Sequence, residues 1–280
     1  MNDLSTKADH VRAMLAEYAR VVIAFSGGVD STLLAKLARD VLGKDKVLAV
    51  TADSPSLARE DLEEAGRLAR ELDVYHRVMM TREVDDAGYR ANSGTRCYFC
   101  KSYLFTELDA IAREEGVPVV LYGAIGDDIA SERPGQRAAG EHGVRAPLQE
   151  AGLAKWEVRQ LAKTLGLSNW DRPQNACLSS RIPHGEEVTP EKLRQVEAAE
   201  LFLRTQGFRQ VRVRHFGRHA RIEVGHEEVG RFQDTRLCAA VAAHLETLGF
   251  ETIGVDRAGY RAGGASAAAD EVLLTAIPRC

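Results

Sequence analysis

The feature that most constrains this chain is an alternation of short β-branched apolar runs with longer stretches of helical periodicity. The runs are RVVIAF at 20–25, VLAVT at 47–51, Val74–Met79 and VPVVLY at 117–122. Between them the pattern predicts helices over Thr32–Leu42, closed by Gly43, and over Leu57–Leu72. An opening helix is expected over Leu4–Ala19, with Val11, Leu15 and Tyr18 near helical spacing. Strands alternating with helices in this way make an α/β fold, a doubly wound parallel sheet. Ligands on such sheets sit at the carboxyl ends of the strands. SGGVDS at 26–31 and GAIGDD at 123–128 both fall there and are expected to face one crevice.

The text changes in RIPHGEEVTP, residues 181–190, which holds two prolines and a glycine. Beyond it the pattern predicts a helix over Glu191–Gln206, strands over Val211–His215 and Arg221–Val224, a helix over Arg236–Leu248 and a last strand over Phe250–Val255. This reads as a smaller C-terminal α+β domain. The expected division is 1–180, 181–265 and a flexible tail, 266–280, adjoining the Gly/Ala/Ser-rich stretch Ala262–Ala269. Two domains suit a chain of 280 residues.

No stretch approaches the roughly 20 apolar residues of a membrane span. Met1–Tyr18 is charged throughout and lacks the apolar core of a secretory signal, so the expected compartment is the cytoplasm. Net charge is −4, and neither the first 180 residues nor the remainder is basic, which argues against a broad nucleic-acid surface. Five cysteines are too few and too unevenly spaced for a disulfide scaffold; in a reducing compartment they read as core, metal or catalytic residues.

SGGVDS follows an apolar strand and opens a helix. Gly27 and Gly28 let successive backbone N–H groups converge on an anion, the helix N-terminus adds its positive end, and the Ser26 and Ser31 hydroxyls can donate to phosphate oxygens. On two glycines alone the plain reading, a tight strand-to-helix turn, stays ahead. No GKS or GKT lysine follows, so this is not a Walker loop, and GxGxxG is absent. The run AFSGGVDSTLL resembles the PP-loop of ATP pyrophosphatases, of the adenine nucleotide alpha hydrolase-like fold, which split ATP between the α and β phosphates and adenylate a substrate. The resemblance implies that Ser26, Gly27, Gly28, Asp30 and Ser31 hold the pyrophosphate, with Asp30 catalytic through Mg2+. It implies that Thr51 and Ser54, in the turn after the second strand, meet adenine and ribose, and that Gly123 and Asp127 line the same pocket. For Asp128 a helix start stabilised by its dipole is a sufficient account.

Cys97 and Cys100 form a CxxC in TRCYFCKSYLF, and Cys177 lies in NACLSSRIP. Two ligands from one turn and a third from a distant loop suit a three-point iron–sulfur site with one iron left open. A redox dithiol needs only the first two, and a zinc site needs a fourth ligand. Cys238, in an apolar helical run, reads as core, and Cys280 as incidental.

Taken together, SGGVDST, RCYFCK, YGAIGDD, ERPG, APLQEAGLAKWEVR, ACLSSRIPHGEEVT and VDRAGYRAGG resemble the LarE family, from the first strand to about Gly264. The resemblance implies an ATP-dependent sulfurtransferase of nickel-pincer nucleotide cofactor biosynthesis. Its small-molecule substrate would be pyridinium-3,5-biscarboxylic acid mononucleotide, whose carboxylates are adenylated and then converted to thiocarboxylates. Some members sacrifice one cysteine, at the position of Cys177; others carry two more cysteines and hold a [4Fe-4S] cluster that delivers sulfide. Cys97 and Cys100 favour the second route, with Cys177 as a ligand. The likeness also implies a homo-oligomer and dealings with other nickel-pincer biosynthesis proteins.

Arg209, Arg212, Arg214, Arg218 and Arg221 follow one another with no acid among them, and in a strand Arg212 and Arg214 share a face opposite Val211 and Val213. Two guanidinium forks suit a phosphate monoester. By resemblance Arg212 and Arg214 hold the substrate phosphate, against the plain alternative of a solvated strand face. Glu200 takes a polar or metal role by likeness, or is an exposed helix glutamate. Arg181, four residues after Cys177, is placed to steady the adenylate as a catalytic residue. A PP-loop iron–sulfur tRNA thiolase and a non-catalytic iron–sulfur carrier are the alternatives; an amidating PP-loop enzyme would leave the cysteines without a role.

Overall fold

The computed structural model describes residues 4–128, 134–173, 175–261 and 271–274. Cys280, the first two residues of ERPG and the stretch Ala262–Ala269 lie outside them. The described chain divides into two compact units: Met1–Tyr89 with Gly94–Asn175, and Arg90–Ser93 with Ala176–Cys280.

In the first unit the order is α1 (Leu4–Ala16), β1 (Val21–Ala24), α2 (Val29–Leu42), β2 (Val47–Asp53), α3 (Arg59–Glu71), β3 (Tyr75–Met80), α4 (Ala87–Arg90), α5 (Arg96–Glu114), β4 (Val119–Tyr122), α6 (Pro134–Glu141), α7 (Pro147–Glu150) and α8 (Lys155–Thr164). The four strands are all parallel, in the order β3-β2-β1-β4. Alternate side chains feed two cores. Val21, Ile23, Val47, Ala49 and Leu121 pack with residues of α1, α2, α3 and α8. Val22, Val50, Val120 and Tyr122 pack with residues of α5 and α6. Both faces are thus covered, which is why these strands read as unbroken apolar runs.

The strand order decides where chemistry can gather. The chain winds from β1 through β2 to β3 and then returns to place β4 on the other flank of β1. The turns after β1 and β4 therefore leave adjacent strands in opposite directions, at the topological switch point where doubly wound sheets bind ligands.

The second unit contains α9 (Pro190–Thr205), β5 (Val211–Phe216), β6 (His219–Val224), α10 (Thr235–Thr247), β7 (Thr252–Asp256) and β8 (Glu271–Leu273). Its sheet is mixed, in the order β5-β6-β7-β8, with β6 and β7 parallel. Thr189 caps α9 by accepting from Lys192 N, with Pro190 at the first helical position; Asp234 caps α10. Cys238 is buried in this unit's core. Within the stretch expected as a tail, Glu271–Leu273 pair with β7, and 266–270 and 275–280 lie outside the described residues. Asn92, of the short excursion, donates to the carbonyls of Ile182 (3.2 Å) and Pro183 (2.7 Å).

Gly123 is where β4 meets α2: a Cβ there would stand 2.8 Å from Ser31 N and 3.1 Å from the Asp30 carbonyl carbon. Gly123→Ala forces the first turn of α2 to shift and is expected to cost about 1–3 kcal/mol, read as a lower unfolding midpoint in urea; an unchanged midpoint would mean the two turns are not in contact.

Candidate active site

The turn after β1 is built around its own hydroxyls. Ser31 Oγ lies 3.2 Å from Ser26 Oγ and donates to Gly28 O at 3.1 Å, while Gly28 N donates to Ser26 Oγ at 3.3 Å. Gly27 sits at φ +69°, and a Cβ on it would meet the α3 backbone at Ala65 at 3.0 Å, so both conformation and space demand glycine. Asn169, 3% exposed, donates to Gly27 O and Thr32 Oγ1, each at 3.0 Å, and fixes the loop from behind.

Asp30 is half-buried, and both its oxygens accept from Lys155 Nζ, at 2.8 and 2.7 Å. Burial raises its carboxyl above the ordinary aspartate range against the pull of Lys155, and Asp128 adds to the rise. Lys155 N in turn donates to Asp127 Oδ2 at 3.0 Å. The expected partners Asp30 and Asp127 are thus joined through one residue that spacing could not reveal. Asp128 Oδ2 accepts from Ile125 N within its own turn.

Thr51 is buried, its hydroxyl 2.7 Å from Phe25 O and 2.8 Å from His76 Nε2, so it ties β2 to the end of β1. Ser54 and Ser56 bond one another at 2.8 Å, and Ser54 Oγ donates to Glu83, a buried carboxylate after β3. Glu83 went unnoticed in the sequence because nothing there joins the ends of β2 and β3. Two open concavities, of about 400 and 390 Å3, lie at the opposite, amino ends of the strands, bordered by Val119, Val21 and Val47, and hold none of the residues expected to bind ATP.

Cys97 and Cys100 lie one turn apart at the start of α5, the first exposed and the second half-buried. Gly135 of ERPG packs against this turn: its Cβ would lie 3.1 Å from Lys101 Cγ and 3.6 Å from Cys97 O. Cys177 is an exposed thiol in the second unit. Within either unit, among the described residues, no three His, Cys, Asp or Glu side chains are gathered for a metal ion.

The second unit holds a buried charge network. Arg181, fully buried, donates to both oxygens of Glu200 at 2.8 and 3.0 Å and to the carbonyls of Ala176 and Cys177, the latter at 2.9 Å. Glu200, 1% exposed, also accepts from Arg204 and from the edge N–H of Val213. With its oxygens so occupied Glu200 is an anchor for arginines and not an exposed helix residue. Burial alone would push its carboxyl up, but Arg181, Arg212 and Arg204 hold it below the usual range.

Nor do the strand residues of the arginine run form a solvated face, although Arg209 and Arg218 at its turns are exposed. Arg212, Arg214 and Arg221 are all under 7% exposed. Arg214 donates to Glu223 from Nε and Nη2 and to Ser180 O from Nη1, and Arg221 reaches the other Glu223 oxygen at 3.1 Å. The acids missing from the run in sequence come from α9 and from farther along β6. Arg212 lies 5.2 Å from the Tyr260 ring centre, and burial beside Arg181 lowers its pKa.

The NAD synthase family model matches residues 5–94. An uncharacterized protein of Synechocystis sp. is 46% identical over 261 residues, 93% of this chain and 97% of its own. The pyridinium-3,5-bisthiocarboxylic acid mononucleotide synthase of Lactiplantibacillus plantarum is 39% identical over 263 residues, 94% of this chain and 95% of that protein. The chain belongs to the LarE family.

It is accordingly a PP-loop enzyme that uses ATP with Mg2+, a sulfurtransferase of nickel-pincer cofactor biosynthesis. NMN synthetase from Francisella tularensis shares the fold, with a TM-score of 0.50 and 18% identity over 62% of this chain and 76% of its own. Among the described residues no helix is long and apolar enough to cross a membrane.

Because the Glu200 carboxyl is held low, the stability it contributes is present above the ordinary glutamate pKa of about 4.3 and is lost as pH falls through the lowered value. Glu200→Gln leaves buried arginines uncompensated and is expected to cost about 3–5 kcal/mol at neutral pH. Urea unfolding followed by circular dichroism should show this loss near pH 7 and a gap from wild type that narrows progressively as pH falls below about 4; a gap that stays constant across that fall would exclude the ion pair as its source.

Proposed function

We propose that this LarE-family enzyme adenylates the carboxylates of pyridinium-3,5-biscarboxylic acid mononucleotide and converts them to thiocarboxylates. The observation that carries the reading is the convergence of the Ser26–Ser31 turn, Asp30 and Asp127 at the switch point of the sheet. A substrate carboxylate oxygen attacks the α-phosphorus of ATP, and pyrophosphate leaves with the bridging oxygen. The acyl carbon of the adenylate is then open to a sulfur nucleophile, and AMP leaves.

Two exposed thiols and a third one helical turn from the first suit an iron–sulfur cluster in donor chemistry. Cys97, Cys100 and Cys177 would hold a [4Fe-4S] cluster, which supplies an open iron able to carry and hand on a sulfide. Arg181 serves here as a positioning residue: it grips the backbone carbonyl of Cys177 and is itself gripped by Glu200. Arg212 and Arg214, which lie buried on one face of β5, would hold the substrate phosphate. The enzyme works as a homo-oligomer with other nickel-pincer biosynthesis proteins, in the cytoplasm where its thiols stay reduced.

Iron and acid-labile sulfide per chain after anaerobic reconstitution test the cluster. Wild type is expected to hold about four of each, lost in Cys97→Ser. No iron in either would overturn the cluster and make Cys177 a sulfur donor used once per chain.

A further inference from the structure

We infer that Lys155 is a nucleotide-binding residue that leaves Asp30 for the pyrophosphate portion of ATP when Mg2+ takes the Asp30 carboxylate. The inference rests on the ATP-dependent adenylation proposed above.

The bland account of the Lys155–Asp30 pair is a tether between α8 and α2. Those helices need none: Leu33, Leu34 and Leu37 of α2 share one buried cluster with Val158, Leu161 and Ala162 of α8. Asp30 does not need a lysine for its place either, because a carboxylate in the first turn of a 14-residue helix is already favoured by the helix dipole. Yet the ammonium engages both oxygens, at 2.8 and 2.7 Å, and the two side chains keep 27% and 26% of their surface exposed. The contact is close enough to hold the carboxylate and open enough to exchange.

The two ends of Lys155 are held differently. Its backbone N–H is pinned by Asp127 at 3.0 Å, while Nζ sits at the end of a flexible four-carbon stem. Asp127 and Asp128 each engage a backbone N–H, whereas Asp30 is matched by a side-chain cation. A part-buried carboxylate engaged through both oxygens is a place for a cation. Lys155 fills that place, and a divalent ion arriving with ATP can take it over. The displaced ammonium then lies at the mouth of the Ser26–Ser31 turn, where an anion binds. Lysine suits the task as a compact point charge for phosphate.

In the step itself the substrate carboxylate oxygen forms a bond to the α-phosphorus as the bond to the bridging oxygen breaks. The electron pair stays on that oxygen, no proton is exchanged, and the ammonium offsets the charge that develops there.

Calorimetric titration of inorganic pyrophosphate with Mg2+, and separately of AMP, into wild type, Lys155→Met and Lys155→Arg provides the test. Loss of one charge-assisted contact is expected to weaken pyrophosphate binding by about tenfold to a hundredfold in Lys155→Met, with AMP affinity unchanged and most of the loss recovered in Lys155→Arg. Pyrophosphate binding equal to wild type in Lys155→Met would overturn the inference. So would an equal loss of both ligands, which reports a deranged loop. If wild type itself bound neither ligand, the ATP site and not Lys155 would be at fault.

Discussion

The meeting of the two glycine-bearing turns of the first unit depends on one close approach, that of the Gly123 backbone to the first turn of α2. A parallel sheet places β4 beside β1, but a side chain at this point would hold the two turns apart. With glycine there, the SGGVDS and GAIGDD turns meet, and Asp30 and Asp127 come within reach of a single lysine. Gly27 performs the matching task on the α3 side, and Asn169 holds its carbonyl from below. The loop is thus set by glycines in front and by a buried amide behind.

The second unit is organised by the opposite kind of constraint. It buries four arginines, Arg181, Arg212, Arg214 and Arg221, against Glu200 and Glu223. Removing such charges from water is costly, and apolar residues of the same size would often be as stable. What the network provides is geometry. Glu200 links α9 to the edge of β5 and to Arg181, and Arg181 fixes the backbone at Cys177. An exposed thiol is therefore carried on a short turn whose carbonyl is held by a guanidinium that Glu200 itself fixes.

Much of the fold was legible because strands covered on both faces must be apolar at every position. RVVIAF and VPVVLY mark β1 and β4 to within two residues. Thr189, which caps α9, lies within RIPHGEEVTP, where the text changes. The environment of the arginine run was not legible. Its freedom from acids holds along the chain but not in space, since Glu223 lies across the hairpin from Arg212 and Glu200 arrives from a helix. Lys155, Asn169 and Glu83 were missed for the same reason: each sits far along the chain from the residue it serves.

The sequence by itself determined the parallel sheet, the glycine turn, the family and the identities of the reactive side chains, because these are matters of periodicity and local composition. Only the tertiary structure decided which charges neutralise one another and which strand lies beside β1. Those outcomes depend on Coulomb and steric contacts between residues remote in sequence, and they make Asp30 a partner of Lys155 and Arg181 a buried clamp on the Cys177 turn.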